Sequence, residues 1–324
     1  MELGLHPVQS RTCEFSQRCC RSFLANLPDG IEVLDRPEEA DLILVFDSYD
    51  ERIIRELPWG FLLSPRTVMY SQGDAGVPVL PGLYVNLTRK IHVPGMTASH
   101  GYFEYLAETG GNRFCKNHLP REKSYLFCFS GRNSHPVRDR VLRFLEGFPN
   151  AIVQDTSEVY NHWSPSRPED AQSAYVEQIR QASFSICPRG KGANCIRLFE
   201  SMRMGVAPVL ISDDLVLPDG PDWETFLLRV PENRIEDIPA ILEREQHRAG
   251  EMGHLARAAY ESHFSPESMP RRILEQLREI SVRGKTGVSG RLVRWGKHRV
   301  VGVFWDLYFL LVDFRDWIRG ILLP

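Results

Sequence analysis

Between Ser185 and Pro218 the chain reads SICPRGKGANCIRLFESMRMGVAPVLISDDLVLP, so Arg189, Gly190, Lys191 and Gly192 fall between an apolar run and a helix-like run. Glycine lets a main chain approach a phosphate closely, and a helix N-terminus offers unpaired N–H groups at the positive end of a dipole. Arginine adds bidentate hydrogen bonds to a diphosphate. Glu200 lies inside the helix-like run, where its carboxylate could accept from ribose hydroxyls. Its plain alternative is an i,i+3 ion pair with Arg197 or Arg203, worth only ~0.2–0.5 kcal/mol.

A second loop has the same construction. FCFSGRNSHPVR puts Gly131 and Arg132 after an apolar strand and before a helix. Ligands of open parallel sheets bind at the carboxyl ends of the strands. One glycine loop there is ordinary, and its rival is a basic surface loop; two from one sheet, each with arginine, point to a diphosphate. Neither loop is a nucleoside-triphosphate cradle, because the chain has no Gly-x4-Gly-Lys-Ser/Thr and no properly flanked Gly-x-Gly-x-x-Gly. It also lacks Asp-x-Asp, the carboxylate pair that would hold a metal against a nucleotide diphosphate. Cations of the protein would then neutralise a leaving phosphate themselves, with no metal and no cofactor expected.

The elements around these loops alternate. The pattern predicts a helix over Ser10 to Leu27 and strands at Ile31–Asp35, Asp41–Phe46 and Thr67–Tyr70, followed by the turn-rich loop SQGDAGVPVLPG. After a polar stretch from Gly110 to Lys123 come strands at Tyr125–Gly131, Ala151–Asp155, FSICP, APVLIS and ETFLLRV. Helices are expected at Val137–Phe148, Ala171–Gln181, Cys195–Met204 and across most of Ile235–Tyr260. Such alternation argues for an α/β protein with parallel sheets and helices on both faces. Two series suggest two Rossmann-like domains facing a cleft: residues 1–120, and residues 121–265 carrying both anion loops. Residues 266–324 form a C-terminal section of helices and tail.

The tail from Ser281 has eight Lys and Arg against three Asp, and ends in an aromatic amphipathic pattern. That composition fits an interfacial membrane anchor, and equally a helix docked on the protein's own core or on a partner subunit. The 324 residues are 43% hydrophobic and 25% charged with a net charge of -3, a soluble composition that excludes a nucleic-acid-coating polycation. Seven cysteines show neither Cys-x-x-Cys nor zinc spacing, as expected of scattered thiols in a reducing compartment. No secretory pattern opens the chain, and no apolar run reaches the ~18 residues of a spanning helix. A cytoplasmic location is expected, with the tail as the candidate contact to the inner membrane surface.

Residues Tyr125 to Leu242 resemble the exostosin family of glycosyltransferases. The resemblance is carried by the strand into Cys187-Pro188-Arg189-Gly190, the helix bearing Arg197-Leu198-Phe199-Glu200, the strand Pro208 to Asp213, Leu217-Pro218, and Asp222-Trp223. Upstream, FSGRNSHPVR is similar to the family's Phe-x-Gly loop with its downstream arginine, here Arg138. The resemblance implies a GT-B fold whose C-terminal domain holds a nucleotide-sugar donor, UDP-linked by expectation, and whose reaction is inverting and metal-independent. The acceptor would be a glycan or glycoconjugate. Arg132, Arg138 and Arg189 would hold the diphosphate and Glu200 the ribose. Gly131, Gly190, Gly192, Asn194 and Arg197 lie on the matched stretches and are carried with them as donor-side residues.

The first half departs from the family: YSQGDAGVPVLPGLY stands where an aromatic and Gly-Arg-Asp-His pattern is expected. An inverting transfer needs a base for the acceptor hydroxyl, and in a two-domain cleft it should come from this half. Asp47 ends a buried strand, and Asp74 lies in the Gly73–Gly76 loop after the next; the ordinary role of both is turn capping. Asp74 ranks first because the glycines around it leave room for a sugar. His92, His100 and Glu104 are further candidates, and His162 and Trp163 could border the ligand. The atypical first half keeps open a different class, a non-catalytic carbohydrate- or nucleotide-binding protein of the same fold.

Overall fold

The computed structural model describes residues 2–9, 14–47, 53–54, 57–74, 78–103, 112, 114–115, 122–158, 168–283 and 294. Strand sequences such as LILVFD and APVLI have no polar alternation, as expected of parallel strands covered on both faces. They sort into two sheets whose named strand pairs are all parallel.

The first sheet holds β1 (Leu3–Gln9), β2 (Ile31–Val33), β3 (Leu42–Asp47), β4 (Thr67–Ser71), β5 (Gly82–Tyr84) and β6 (Thr97–Ser99), in the order β2-β1-β3-β4-β5-β6. The second holds β7 (Tyr125–Gly131), β8 (Ala151–Asp155), β9 (Ala182–Pro188), β10 (Ala207–Ile211) and β11 (Leu228–Arg229), in the order β11-β10-β9-β7-β8. In each sheet the second strand lies outside the first and the third crosses to its other side. The order therefore reverses beside β1 and beside β7. This is the two-sheet, GT-B-like α/β architecture that the sequence implies.

Parallel pairing needs crossovers, and α1 (Glu14–Ala25), α2 (Trp59–Leu63), α3 (Pro136–Leu145), α4 (Glu169–Gln181) and α5 (Ile196–Arg203) supply several of them, while α6 (Ile238–Glu245), α7 (Ala249–His263) and α8 (Met269–Arg283) follow the last strand. Proline at the first turn of α3 follows His135, whose ring nitrogen accepts the Val137 N–H and caps the helix.

Several elements differ from the sequence expectation. β1, β5 and β6 are strands to which the sequence pattern assigns no element; β5 and β6 are three residues each, too short for a period-2 pattern. Gly82 can start β5 because a Cβ there would collide with the Met69 main chain of β4. Of ETFLLRV only Leu228 and Arg229 pair with β10. The Trp223–Thr225 turn precedes them, held by the Trp223 indole N–H on the Pro218 carbonyl at 2.7 Å. The expected long helix up to Tyr260 is broken by single turns at Ile235–Asp237 and Gln246–Arg248.

The two sheets share one apolar core, with Leu5, Phe46 and Tyr70 of the first continuous with Phe127, Phe199 and Leu210 of the second. Helix α8 returns to pack on β4 and β5 of the first sheet. A main-chain seam joins the domains: Thr88 bridges Leu215, Arg89 N–H donates to the Asp214 carbonyl at 2.8 Å, and Val216 N–H to Leu87 at 2.9 Å. Beside it lies an aromatic cluster in which Phe264 meets Phe199 (centroids 4.9 Å), Trp223 (5.9 Å) and His100 (6.1 Å). Among the described residues no helix is long and apolar enough to cross a membrane. The tail beyond Arg283 lies outside the described residues, Arg294 excepted.

Phe264 is fully buried at this junction. Phe264→Ala is expected to cost about 3–5 kcal/mol of unfolding free energy, measured by urea denaturation of the full chain.

Candidate functional site

The reversal of strand order beside β7 opens a crevice at the carboxyl ends of β7 and β9. Gly131 closes β7 and Arg189 follows β9, so both anion loops rise at that crevice. They are tied to each other through Arg138 on α3. Its Nε donates to the Arg189 carbonyl (3.1 Å), Nη1 to the Arg132 carbonyl (3.2 Å) and Nη2 to the Pro188 carbonyl (3.4 Å). Burial, and after it the Arg197 charge, lower the Arg138 pKa to about 10, so it remains a cation at neutral pH. Gly190 lies against this guanidinium, 3.2 Å from Nη2 to a Cβ built there, so glycine at this position accommodates arginine.

Arg189 projects from the same floor. Its Nη1 stands 3.8 Å from a Glu232 carboxylate oxygen, while its Nε is buried with no hydrogen-bond partner. Glu232 is itself engaged, exchanging main-chain to carboxylate hydrogen bonds with Asp213 at 3.0 and 3.1 Å. His135 stays neutral: burial, then Arg189 and Arg138, push its pKa down to about 4. Arg132 is exposed at the rim, its carbonyl held by Arg138. The crevice thus concentrates positive charge and buried donors, the electrostatics of an anion site.

Asp74 faces this floor from the first domain. The charges of Lys191 and Arg138, and after them the Gly192 main-chain N–H, favour its ionised form. Burial outweighs all three and raises its pKa to about 6. Asp47 ends β3 opposite Ser71 of β4. His100 is buried in the aromatic cluster, its Nδ1 accepting the Gly101 N–H at 2.9 Å, and burial pushes its pKa down to about 4, which removes it from the cleft chemistry. His92 places Nδ1 3.0 Å from the Thr97 hydroxyl. Glu104, His162 and Trp163 lie outside the described residues.

Three residues matched on the donor side have their polar groups engaged inside the protein. Arg197 is buried, donates to the Ser130 carbonyl, and lies over the Phe129 ring (4.7 Å) and the Tyr175 ring (5.5 Å). A Cβ at Gly131 would come within 2.8 Å of its Nη2, so that glycine makes room for a guanidinium. Asn194 donates its main-chain N–H to Asn86 Oδ1 at 2.8 Å and its side-chain amide to the Val85 carbonyl at 3.0 Å. Gly192 is closed off by the Asn86 side chain, which a Cβ would strike. Glu200 is buried, accepts the Tyr175 hydroxyl at 2.6 Å and meets the Cys115 thiol; burial raises its pKa. Asn86, His135, Tyr175 and Glu232 were not marked by the sequence reading. Only the His-Pro pair before α3, a helix-start signal, could have drawn attention to one of them.

The raised pKa of Asp74 has a stability consequence with a definite sign. A carboxyl whose folded pKa lies above its unfolded value near 3.8 favours the fold while protonated, below that value, and loses this contribution as pH rises through about 6. Asp74→Asn removes the burden of the buried charge. The variant should therefore melt higher than the parent at pH 8, and the gap should shrink through pH 6 and level off below pH 4, as read by calorimetry.

Residues 89–244 match the Exostosin GT47 domain. The Exostosin-1 homolog of Caenorhabditis elegans is 25% identical over 162 residues, 45% of this chain and 42% of that protein. The probable glucuronosyltransferase GUT1 of Oryza sativa subsp. japonica and the probable beta-1,4-xylosyltransferase IRX10 of Arabidopsis thaliana are each 36% identical over 75 residues, 22% of this chain and 18% of theirs. The chain thus spans less than half the length of these curated relatives. Among solved structures, MurG of Acinetobacter baumannii aligns over 86% of this chain and 99% of its own with 10% identity and a TM-score of 0.40; the fold described above rests on the observed sheets instead. The match to the Exostosin GT47 domain begins at the seam that joins the two sheets and takes in both glycine-arginine loops.

Proposed function

We propose that the protein is a glycosyltransferase that takes a sugar from a nucleotide diphosphate donor, a UDP-sugar, and passes it to a hydroxyl of a glycan or glycoconjugate with inversion. The observation that carries this reading is the convergence of Arg138, Arg189 and Lys191 at the β7/β9 crevice, with the carboxyl of Asp74 opposite them. The family match supports the same reading.

The arginines and the first turns of α3 and α5 would take up the charge that grows on the leaving diphosphate. Arg189 contributes most directly, because its Nε has no partner within the protein. Arg138 keeps the floor rigid and adds charge from below. Protein cations thereby serve the role that a metal fills at an Asp-x-Asp site. Asp74, ionised above about pH 6, accepts the proton of the attacking hydroxyl as the bond to the anomeric carbon forms. Glu200, set behind Tyr175, supports the ribose side of the pocket through that tyrosine.

The test uses the full chain with a panel of UDP-sugars, following UDP binding by calorimetry and donor hydrolysis by UDP release. Arg189→Ala is expected to weaken UDP binding by about tenfold or more, the loss of a charge-assisted hydrogen bond. Asp74→Asn is expected to retain UDP binding while turnover falls by about 10²–10⁴-fold, and the parent's kcat/KM should decline as pH drops below about 6. UDP affinity unchanged in Arg189→Ala would sink the donor site. Binding without turnover on any donor would instead leave a sugar-nucleotide binding protein.

A further inference from the structure

Asn86 lies after β5 in the first domain, is buried, and touches the loops on both sides of the crevice. Its Nδ2 donates to the carbonyl of Gly73, the residue before Asp74, at 2.9 Å. Its Oδ1 accepts the Asn194 main-chain N–H at 2.8 Å and the Tyr102 hydroxyl at 3.3 Å. The roles are fixed by the partners, since a main-chain N–H can only donate and a carbonyl can only accept. The same carboxamide fills the space where Gly192 would carry a Cβ. One carboxamide therefore ties the loop that carries Asp74 to the loop that carries Gly192 and Asn194, and the Gly192 main chain lies near enough to Asp74 to favour its ionised form.

We propose that Asn86 is a positioning residue that sets the separation between the Asp74 carboxyl and the Gly190–Gly192 loop, and so governs proton acceptance and the diphosphate grip together. This rests on the glycosyl-transfer reading above. A primary amide suits the place because it offers a donor and an acceptor in opposite directions. Leucine would leave the buried Asn194 N–H without a partner, and aspartate would set an oxygen against the Gly73 carbonyl.

The test compares the parent chain with Asn86→Ala and with Gly192→Ala, which presses on the same amide from the other loop. Each is measured for UDP affinity by calorimetry, for UDP-sugar hydrolysis from pH 4.5 to 8.5, and for melting temperature. Loosening this tie draws the Gly192 N–H, which favours ionised Asp74, away from the carboxyl, so the acid limb of the rate profile should move to higher pH in both variants. UDP affinity should fall by about tenfold, and the double variant should be no worse than the poorer single, as expected for residues acting as one unit. An acid limb and UDP affinity within about twofold of the parent, even with a lowered melting temperature, overturn the positioning role. Should Asn86→Ala fail to fold, Gly192→Ala carries the same comparison. A parent that neither binds UDP nor hydrolyses any UDP-sugar defeats the glycosyl-transfer reading itself; an active parent matched by its variants defeats only this inference.

Discussion

An arginine buried at the end of a parallel sheet must hydrogen-bond to whatever the sheet leaves unpaired, and at the carboxyl edge that is main-chain carbonyl. Arg138 and Arg197 both do so, on the carbonyls of Arg132, Arg189, Pro188 and Ser130. Main-chain dipoles take up these donors without cancelling the Arg138 charge, as a carboxylate partner would have done. The rest of the site follows from this constraint. Gly131 and Gly190 must be small because guanidinium groups occupy the space beside them. His135 must stay neutral between two arginines, which frees its ring nitrogen to cap α3. Arg189, with Glu232 already committed to Asp213, keeps a buried N–H without a partner.

Much of the second domain was legible in the sequence, for a physical reason. Strands covered on both faces are largely apolar runs, so YLFCFSG, FSICP and APVLI announce themselves, and the glycine-arginine loops follow the first two. The first domain was harder. β5 and β6 are too short to carry a pattern, and in β1 His6 and Pro7 interrupt the apolar run. The same limit applied to the site. Arg189 and Asp74 could be named because their loops show in one dimension. The partner of Glu200 is Tyr175 on a helix 25 residues upstream, and spacing on α5 alone pointed to Arg197 or Arg203 instead. Asn86 had no local signal at all, because its role depends on Gly73 and Asn194, 13 and 108 residues away.

The two glycines of the Gly-Lys-Gly loop illustrate how one residue type can serve different ends a few ångströms apart. Both were read as room for a phosphate. Gly190 makes room for Arg138 and Gly192 for Asn86, so each helps to build the anion site by admitting a protein side chain. The aromatic cluster and the Thr88–Leu215 seam join the two domains, so the separation of the Asp74 loop from the Gly190–Gly192 loop is set by packing as well as by the loops themselves.

On the glycosyl-transfer reading, this arrangement links base strength to donor occupancy. With the crevice as it stands, Lys191 and Arg138 favour the ionised form of Asp74 and partly offset the effect of burial. A diphosphate seated on those cations would cancel their pull and add negative charge within a few ångströms of the carboxylate. Both changes make ionised Asp74 a stronger proton acceptor. The carboxylate would then be most basic when a donor is present to react, and weaker once the diphosphate departs. A base on a separate wall, away from the cations, would lack this coupling. The placement of Asp74 opposite the anion loop, held through Asn86, is what supplies it.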